Sequence, residues 1–226
     1  MSATALAWME PRPGLPRIVE VSIAVAVLVV SAPILVACAL VVRLSSRGPV
    51  LFRQARVGLN GQSFTLFKFR SMRCESEGLQ ITADGDRRIT AAGKFLRKTK
   101  LDELPELWNV LKGDMALVGP RPEVAGYVDL TDRRWKQVLQ ARPGLTDPVT
   151  VRLRNEQVLL AKVSADPERF YLDVLLPYKL DGYTEYLARR TWRSDLKVLW
   201  ETCLAVFFPG SVYHLELEDL SRSERH

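Results

Sequence analysis

From Val21 to Val42 the chain carries no charge and is almost wholly apolar. Roughly 20 such residues are enough to cross the hydrocarbon core of a bilayer. Ser31 and Pro33 lie in the middle of the run, and a proline there removes a backbone hydrogen bond and kinks a helix. Arg12 and Arg17 precede the run, and Arg43, Arg47, Arg53 and Arg56 follow it. Because cytoplasmic flanks attract Lys and Arg, cations on both sides suit a re-entrant helix hairpin that bends near Ser31 and Pro33 and returns to the same face. A straight span with a cytoplasmic C-terminal domain is the plain alternative, and the stronger basic excess after the run favours it. A cleaved signal is the third reading. Leu35-Val36-Ala37-Cys38 has the form of a lipoprotein cleavage box, but the leader before it is long and the apolar run continues past Cys38 into basic sequence. The first two readings agree on a polar domain held against the cytoplasmic face.

Around this run the 226 residues divide into a Pro-rich arm (1–17), the membrane-embedded helix (18–43), a cytosolic domain (44–210) and a charged tail (211–226). The formal net charge of +6 suggests an anionic partner: nucleic acid, phospholipid or a phosphorylated substrate. Three cysteines lack metal or disulfide spacing, which points to a reducing compartment. The only two histidines, His214 and His226, lie near the C-terminal end, so neither a His-based triad nor a His-rich metal site is expected.

Ser45 to Met72 reads as strands. Val50-Leu51-Phe52 and Ser63-Phe64-Thr65-Leu66-Phe67 flank Gly58-Leu59-Asn60-Gly61, and Asn-Gly is a strong hairpin-turn signal. Alternation puts Lys68 and Arg70 on one face and Phe67 and Phe69 on the other. Two cations with apolar backing suit a phosphate, although a charged edge strand explains them equally well. Cys74 to Arg88 is polar and reads as a loop; the further acids that a calcium loop around Asp84-Gly85-Asp86 needs are absent.

Lys94, Arg97, Lys98 and Lys100 then crowd before the paired acids Asp102 and Glu103. Leu104, Leu107, Trp108 and Leu111 follow at helical spacing. Pro105 is tolerable in a first turn, so a helix is expected to begin near Asp102, with Asp102 at the N-cap and Gly113 as its stop. An acid there is ordinarily a structural cap. Beside so many cations it is also a candidate nucleophile within a phosphate clamp. Val118-Gly119-Pro120-Arg121-Pro122 places Arg121 on backbone with little freedom, useful for an arginine that must meet an anion, and Arg142-Pro143-Gly144 repeats the theme. Beyond Leu145 the pattern is mostly helical, over Val158 to Val163, Phe170 to Leu176 and Asp195 to Phe208. Trp192, Trp200, Phe207 and Phe208 read as core by default, or as an amphipathic helix at a membrane interface.

Taken together, Gly-Pro-Val-Leu-Phe-Arg-Gln at 48–54, Lys-Phe-Arg-Ser-Met at 68–72, Leu-Asp-Glu-Leu-Pro at 101–105, Asn-Val-Leu-Lys-Gly-Asp-Met at 109–115, Val-Gly-Pro-Arg-Pro at 118–122 and Arg-Pro-Gly-Leu-Thr at 142–146 resemble the bacterial sugar transferases, the monotopic phosphoglycosyl transferases. The likeness runs from about Ile18 to about Phe208. It implies transfer of a sugar-1-phosphate from a nucleotide sugar, usually a UDP-sugar, to a polyprenyl (undecaprenyl) phosphate, with release of UMP and a covalent phosphosugar–enzyme intermediate. This step starts exopolysaccharide, O-antigen or glycoprotein glycan assembly.

Carried over by motif, Asp102 is the nucleophile and Glu103 the second member of the dyad. Mg²⁺ is the cofactor, with Asp102 as its protein ligand. Lys68, Arg70, Arg97, Arg121 and Arg142 are expected to bind substrate phosphate, and Ser31 and Pro33 to break the membrane helix. The implied partners are the donor, the acceptor and membrane lipids, with a homodimer allowed and no nucleic acid. The implied location is the cytoplasmic face of a bacterial inner membrane. Two positions depart from the family pattern: Ala32 separates the usual Ser-Pro pair, and Asp147-Pro148-Val149 stands where many members continue Gly-Trp. The expected fold is α/β or α+β, helix-rich, with a small antiparallel sheet near the site. The alternative is a membrane-tethered binding protein or non-catalytic scaffold. No P-loop, G-x-G-x-x-G or G-x-S-x-G motif supports a kinase, dehydrogenase or hydrolase.

Overall fold

A computed structural model describes residues 11–73, 85–163 and 166–208. The charged tail, both histidines, Cys74 and most of the polar loop after it, including Asp84, lie outside the described residues. The chain opens with α1 (Arg17–Ser45), a 29-residue helix that contains Pro33. The break expected at Ser31 and Pro33 is absent: the helical backbone runs through both without interruption, and Ser31 Oγ donates to the Val27 carbonyl at 2.6 Å. Such back-bonding relieves a helix next to the hydrogen bond that a proline cannot make.

The residues of α1 buried by the rest of the protein are Glu20, Ala24, Ser31, Cys38 and Val42, a single stripe along its whole length. At its start, Arg17 donates to the carbonyls of Val110 and Met115, and Glu20 Oε1 accepts the Leu117 N–H at 3.0 Å. At its end, Cys38 and Val42 pack with Phe69 and Leu96. Both ends of the apolar helix therefore rest on the same polar domain. The opposite face, with Val29, Val30, Val36 and Leu44, is exposed.

The hairpin expected at Asn60-Gly61 is present. β1 (Leu51–Val57) and β2 (Ser63–Phe69) pair antiparallel from Leu51↔Phe69 to Val57↔Ser63. Asn60 and Gly61 take the positive φ values, 55° and 75°, that the reversal requires. The chain continues through α2 (Ala91–Thr99), α3 (Glu106–Lys112), β3 (Ala116–Val118), α4 (Arg133–Val138) and β4 (Gly144–Thr146). β3 and β4 form a second, parallel pair that the sequence reading did not contain. Gly144 lets them approach, since a Cβ there would stand 2.1 Å from the Gly119 nitrogen.

The remaining helices are α5 (Pro148–Arg152), α6 (Glu156–Lys162), α7 (Pro167–Phe170), α8 (Leu176–Arg189) and α9 (Trp192–Phe207), with one π-helical turn, Tyr171–Leu175, leading into α8. Asp147 caps α5 by accepting from the Val149 and Thr150 N–H groups. A core of Trp135, Val149, Leu160, Leu175 and Tyr183 gathers α4 to α8, and a second, of Ala24, Leu66, Val110, Met115 and Val118, joins α1 to β2, α3 and β3. Among the described residues the fold is thus helix-rich α+β, with two two-stranded sheets instead of one. Trp192, Trp200, Phe207 and Phe208 are not core: each is at least half exposed.

Candidate active site

The site forms where α2 ends. Lys100 closes that helix in the left-handed region (φ 59°), a conformation a lysine adopts only at some cost, and the chain turns into a 3-10 turn, Leu101–Glu103. This placement corrects the expected N-cap. Asp102 lies in the 3-10 turn, while α3 begins four residues later at Glu106, with Pro105 at its N-cap. Proline has no N–H to satisfy and its φ suits a first turn, so the helix starts behind it. The expected stop holds: Gly113 caps α3 at φ 90°.

The hairpin is drawn onto α3 by Asn109, which is fully buried. Its Nδ2 donates to the Thr65 carbonyl at 2.7 Å, and its Oδ1 accepts the Phe67 N–H at 3.1 Å. The amide thereby pairs the open edge of β2 and sets Lys68, one residue on, against the acids. Lys68 Nζ lies 3.0 Å from Glu103 Oε1 and 3.0 Å from Glu106 Oε1; the second pair is an ion pair off the hydrogen-bonding direction. From the other side Arg121 Nη2 donates to Glu103 Oε1 at 2.5 Å.

These contacts divide the acids. Burial alone would raise the pKa of Glu103, but Arg121, Lys68 and Lys100 together outweigh it and hold the carboxyl well below the usual glutamate range. Asp102 is pushed up, chiefly by burial and then by the neighbouring Glu103 charge, against the pull of Lys68, Lys100 and Arg97. Its Oδ1 is buried and has no hydrogen-bond partner. Glu106, 1% exposed, is pushed up by burial as well. The cluster therefore holds one firmly ionised carboxylate beside one with an uncommitted oxygen.

Asp102, Glu103, Lys68 and Arg121 are brought together as expected, and Arg97 is close enough to act on Asp102 through its charge. Two expected members are elsewhere. Arg70 follows β2 and is 4% exposed; its guanidinium donates to the carbonyls of Val42, Ser46 and Arg47 and so closes the end of α1. Four unsatisfied carbonyls at a helix end are a ready partner for a buried arginine, which accounts for its turning away from the paired acids. Arg142 is exposed and donates to the Gly113 carbonyl at 3.2 Å, at the end of α3. Glu106 is the member the sequence reading missed. Its spacing of three from Glu103 placed it on the same side of a helix, the one signal available.

Among the described residues no group of three metal-ligating side chains is gathered. Mg²⁺ does not require one, because it keeps several waters and is commonly held by one or two carboxylates plus substrate phosphates. The unpartnered Asp102 oxygen fits that mode.

The geometry is that of paired acids held among basic side chains, on a domain that carries an apolar helix. The profile of the bacterial sugar transferases matches residues 12–209, and the chain belongs to that family. It is 36% identical over 181 residues to a UDP-N-acetylgalactosamine-undecaprenyl-phosphate N-acetylgalactosaminephosphotransferase of Aeromonas hydrophila, covering 72% of this chain and 42% of that protein. It is 34% identical over 229 residues to a UDP-glucose:undecaprenyl-phosphate glucose-1-phosphate transferase of Caulobacter vibrioides (93% and 79%), and 38% identical over 209 residues to one of Escherichia coli (88% and 41%). The chain thus spans less than half the length of two of these relatives and most of the third.

Proposed function

We propose that this protein transfers a sugar-1-phosphate from a UDP-sugar to a polyprenyl phosphate, releasing UMP, with Asp102 as the nucleophile. The observation that carries the reading is the buried, unpartnered Oδ1 of Asp102 beside a Glu103 already held by Lys68 and Arg121. The relatives' names supply the substrate classes, and because those relatives differ in their sugar, the donor is stated as a class.

A carboxylate attacks a diphosphate only when the charge it approaches is neutralised. In the first step an Asp102 oxygen forms a bond to the sugar-bearing phosphorus, and the bond from that phosphorus to the bridging oxygen breaks. The electron pair leaves with UMP. In the second step a phosphate oxygen of the acceptor attacks the same phosphorus and frees the Asp102 carboxylate. Lys68, Arg97 and Arg121 stabilise the charge that builds on the phosphoryl oxygens. Glu103, bound to two of these cations, keeps them aimed. Asp102 and the substrate's diphosphate would hold Mg²⁺, which supplies further charge neutralisation when bound.

The acceptor's phosphate lies at the lipid headgroup level, so the site must work near that plane. A helix whose two ends both rest on one polar domain suits embedding from one face better than a straight span. The exposed aromatic residues of α9 suit the interface. A groove of about 650 Å³ lined by Pro49, Val50, Phe52, Arg53 and Arg70 begins where α1 ends, and Phe52 is the cross-strand neighbour of Lys68. That groove is the lane for an apolar chain bearing a phosphate. The expected setting is the cytoplasmic face of a bacterial inner membrane.

The test is UMP release by the detergent-solubilised protein given polyprenyl phosphate, Mg²⁺ and a panel of UDP-sugars. Turnover with one donor, abolished in Asp102→Asn and on chelation, supports the reading. A single stoichiometric burst of UMP without acceptor supports the covalent step. Folded protein that releases UMP from no UDP-sugar overturns the donor class.

A further inference from the structure

A second set of buried charges stands behind the site. Lys179 on α8 is 3% exposed. Its Nζ lies 3.0 Å from the Tyr171 hydroxyl, 3.6 Å from Glu123 Oε1 and 3.0 Å from Glu156 Oε2. The Tyr171 hydroxyl donates to Glu123 Oε1, and the other Glu123 oxygen faces Arg56 Nη1 at 3.4 Å. Glu123 itself is 5% exposed.

Such a set is an expensive way to fill space. Desolvating a buried ion pair is costly, and well-packed apolar residues often serve stability as well or better. What these groups do that apolar ones could not is grip one short piece of backbone. Glu123 directly follows the Pro120-Arg121-Pro122 turn. Arg56 Nη1 also donates to the Pro122 carbonyl at 3.0 Å, and the Val57 N–H donates to the Glu123 carbonyl at 2.9 Å. On the opposite flank the Gly144 N–H donates to the Pro120 carbonyl at 2.9 Å. The prolines fix the turn's internal shape. The remaining freedom is where the whole turn sits relative to Glu103, and the Glu123 cluster sets it.

We propose that Lys179 is a positioning residue for the transfer: through Glu123 and Tyr171 it locks the turn so that Arg121 meets Glu103. This rests on the roles of Asp102, Glu103 and Arg121 given above. Lys179 touches no substrate, so its effect passes entirely through Arg121 and appears in kcat, while the KM for polyprenyl phosphate stays near its wild-type value.

The experiment is a double-mutant cycle on UMP release with Lys179→Met, Arg121→Ala and the pair, each assayed well below its own Tm and corrected for folded fraction. Arg121→Ala is expected to lower kcat by about 10²–10³-fold, the usual loss for a charge-stabilising donor. Lys179→Met is expected to lower it at least about tenfold, since small misplacements of such groups are costly. In the Arg121→Ala background Lys179→Met should cost almost nothing more, because the interaction it serves is gone. A merely structural lysine predicts unchanged kcat per folded molecule, or losses that multiply, and either result overturns the proposal. If Lys179→Met does not fold, Tyr171→Phe enters the same cycle with the same expectation at several-fold. Wild-type protein that releases no UMP tells against the parent reading, which is a different result from turnover that Lys179→Met leaves untouched.

Discussion

Arg121 Nη2 lies 2.5 Å from Glu103 Oε1, joining the turn after β3 to the 3-10 turn before α3 across 18 residues of sequence. With Lys68 on the same carboxylate oxygen, the pair turns Glu103 into the fixed charge around which the other site groups are set.

That arrangement has a signature in acid. Glu103 is held well below its unfolded value, which is near ~4.3. A folded-state pKa below the unfolded one contributes stability that is complete above about 4.3 and is lost as pH falls toward the folded value. Asp102 and Glu106, pushed up by burial, act in the opposite sense: their contribution is complete below their unfolded values, roughly 4, and shrinks as pH rises through their folded values. Thermal unfolding of wild type and Glu103→Gln from pH 7 to pH 3 should show the variant less stable at pH 7, with the gap narrowing below about pH 4. A gap independent of pH would contradict the assignment.

Asp102 carries the converse expectation. At neutral pH it is asked to be ionised in a buried position, so Asp102→Asn should abolish turnover and also raise Tm in metal-free buffer. A rise of about 2–4 °C is what ~1 kcal/mol is worth in a chain of this size. Differential scanning fluorimetry in detergent with a chelator measures it. A lower Tm would show that the carboxylate is structurally satisfied.

Arg70 separates a structural cation from a catalytic one. Because it closes the end of α1, Arg70→Met should destabilise the protein by roughly 2–3 kcal/mol, the worth of charged hydrogen bonds to buried carbonyls. The stoichiometric UMP burst per folded molecule should persist. Loss of the burst with an unchanged Tm would return Arg70 to the phosphate clamp.

The β3–β4 contact leaves no room for a side chain. In Gly144→Ala the new Cβ meets backbone at 2.1 Å, and the strands that hold the Arg121 turn must part. A loss of roughly 3 kcal/mol or more is expected, with most of the activity, measured by denaturant unfolding and UMP release. Near-wild-type values for both would mean that the strands separate freely.

The paired acids, the αL stop at Gly113 and the hairpin at Asn60-Gly61 were legible because each rests on local chemistry: charge adjacency, a glycine-only conformation and a turn signal. Arg70 and Arg142 were not, because a cation among apolar residues reads alike whether it meets a phosphate or a helix's last carbonyls. Only the tertiary placement of α1 and α3 decides. The parallel β3–β4 pair was hidden for a similar reason, since three-residue strands such as Ala116–Val118 carry too little alternation to announce a partner. Lys179 and Glu123 carry no local signal of burial, since only the packing of α8 against the turn after β3 buries them.

The first turn of α1 has a consequence for biosynthesis. Arg17 and Glu20 find their partners at Val110, Met115 and Leu117, 93 to 98 residues further along. At about 5–20 residues per second, those partners leave the ribosome roughly 5–20 s after the helix does. For that interval the first turn of the helix, with its ion pair, has none of its partners to dock on. The head of the helix therefore completes its contacts only when the polar domain does, and a truncated chain that keeps the helix but ends before residue 110 would leave Arg17 and Glu20 without their partners on the domain.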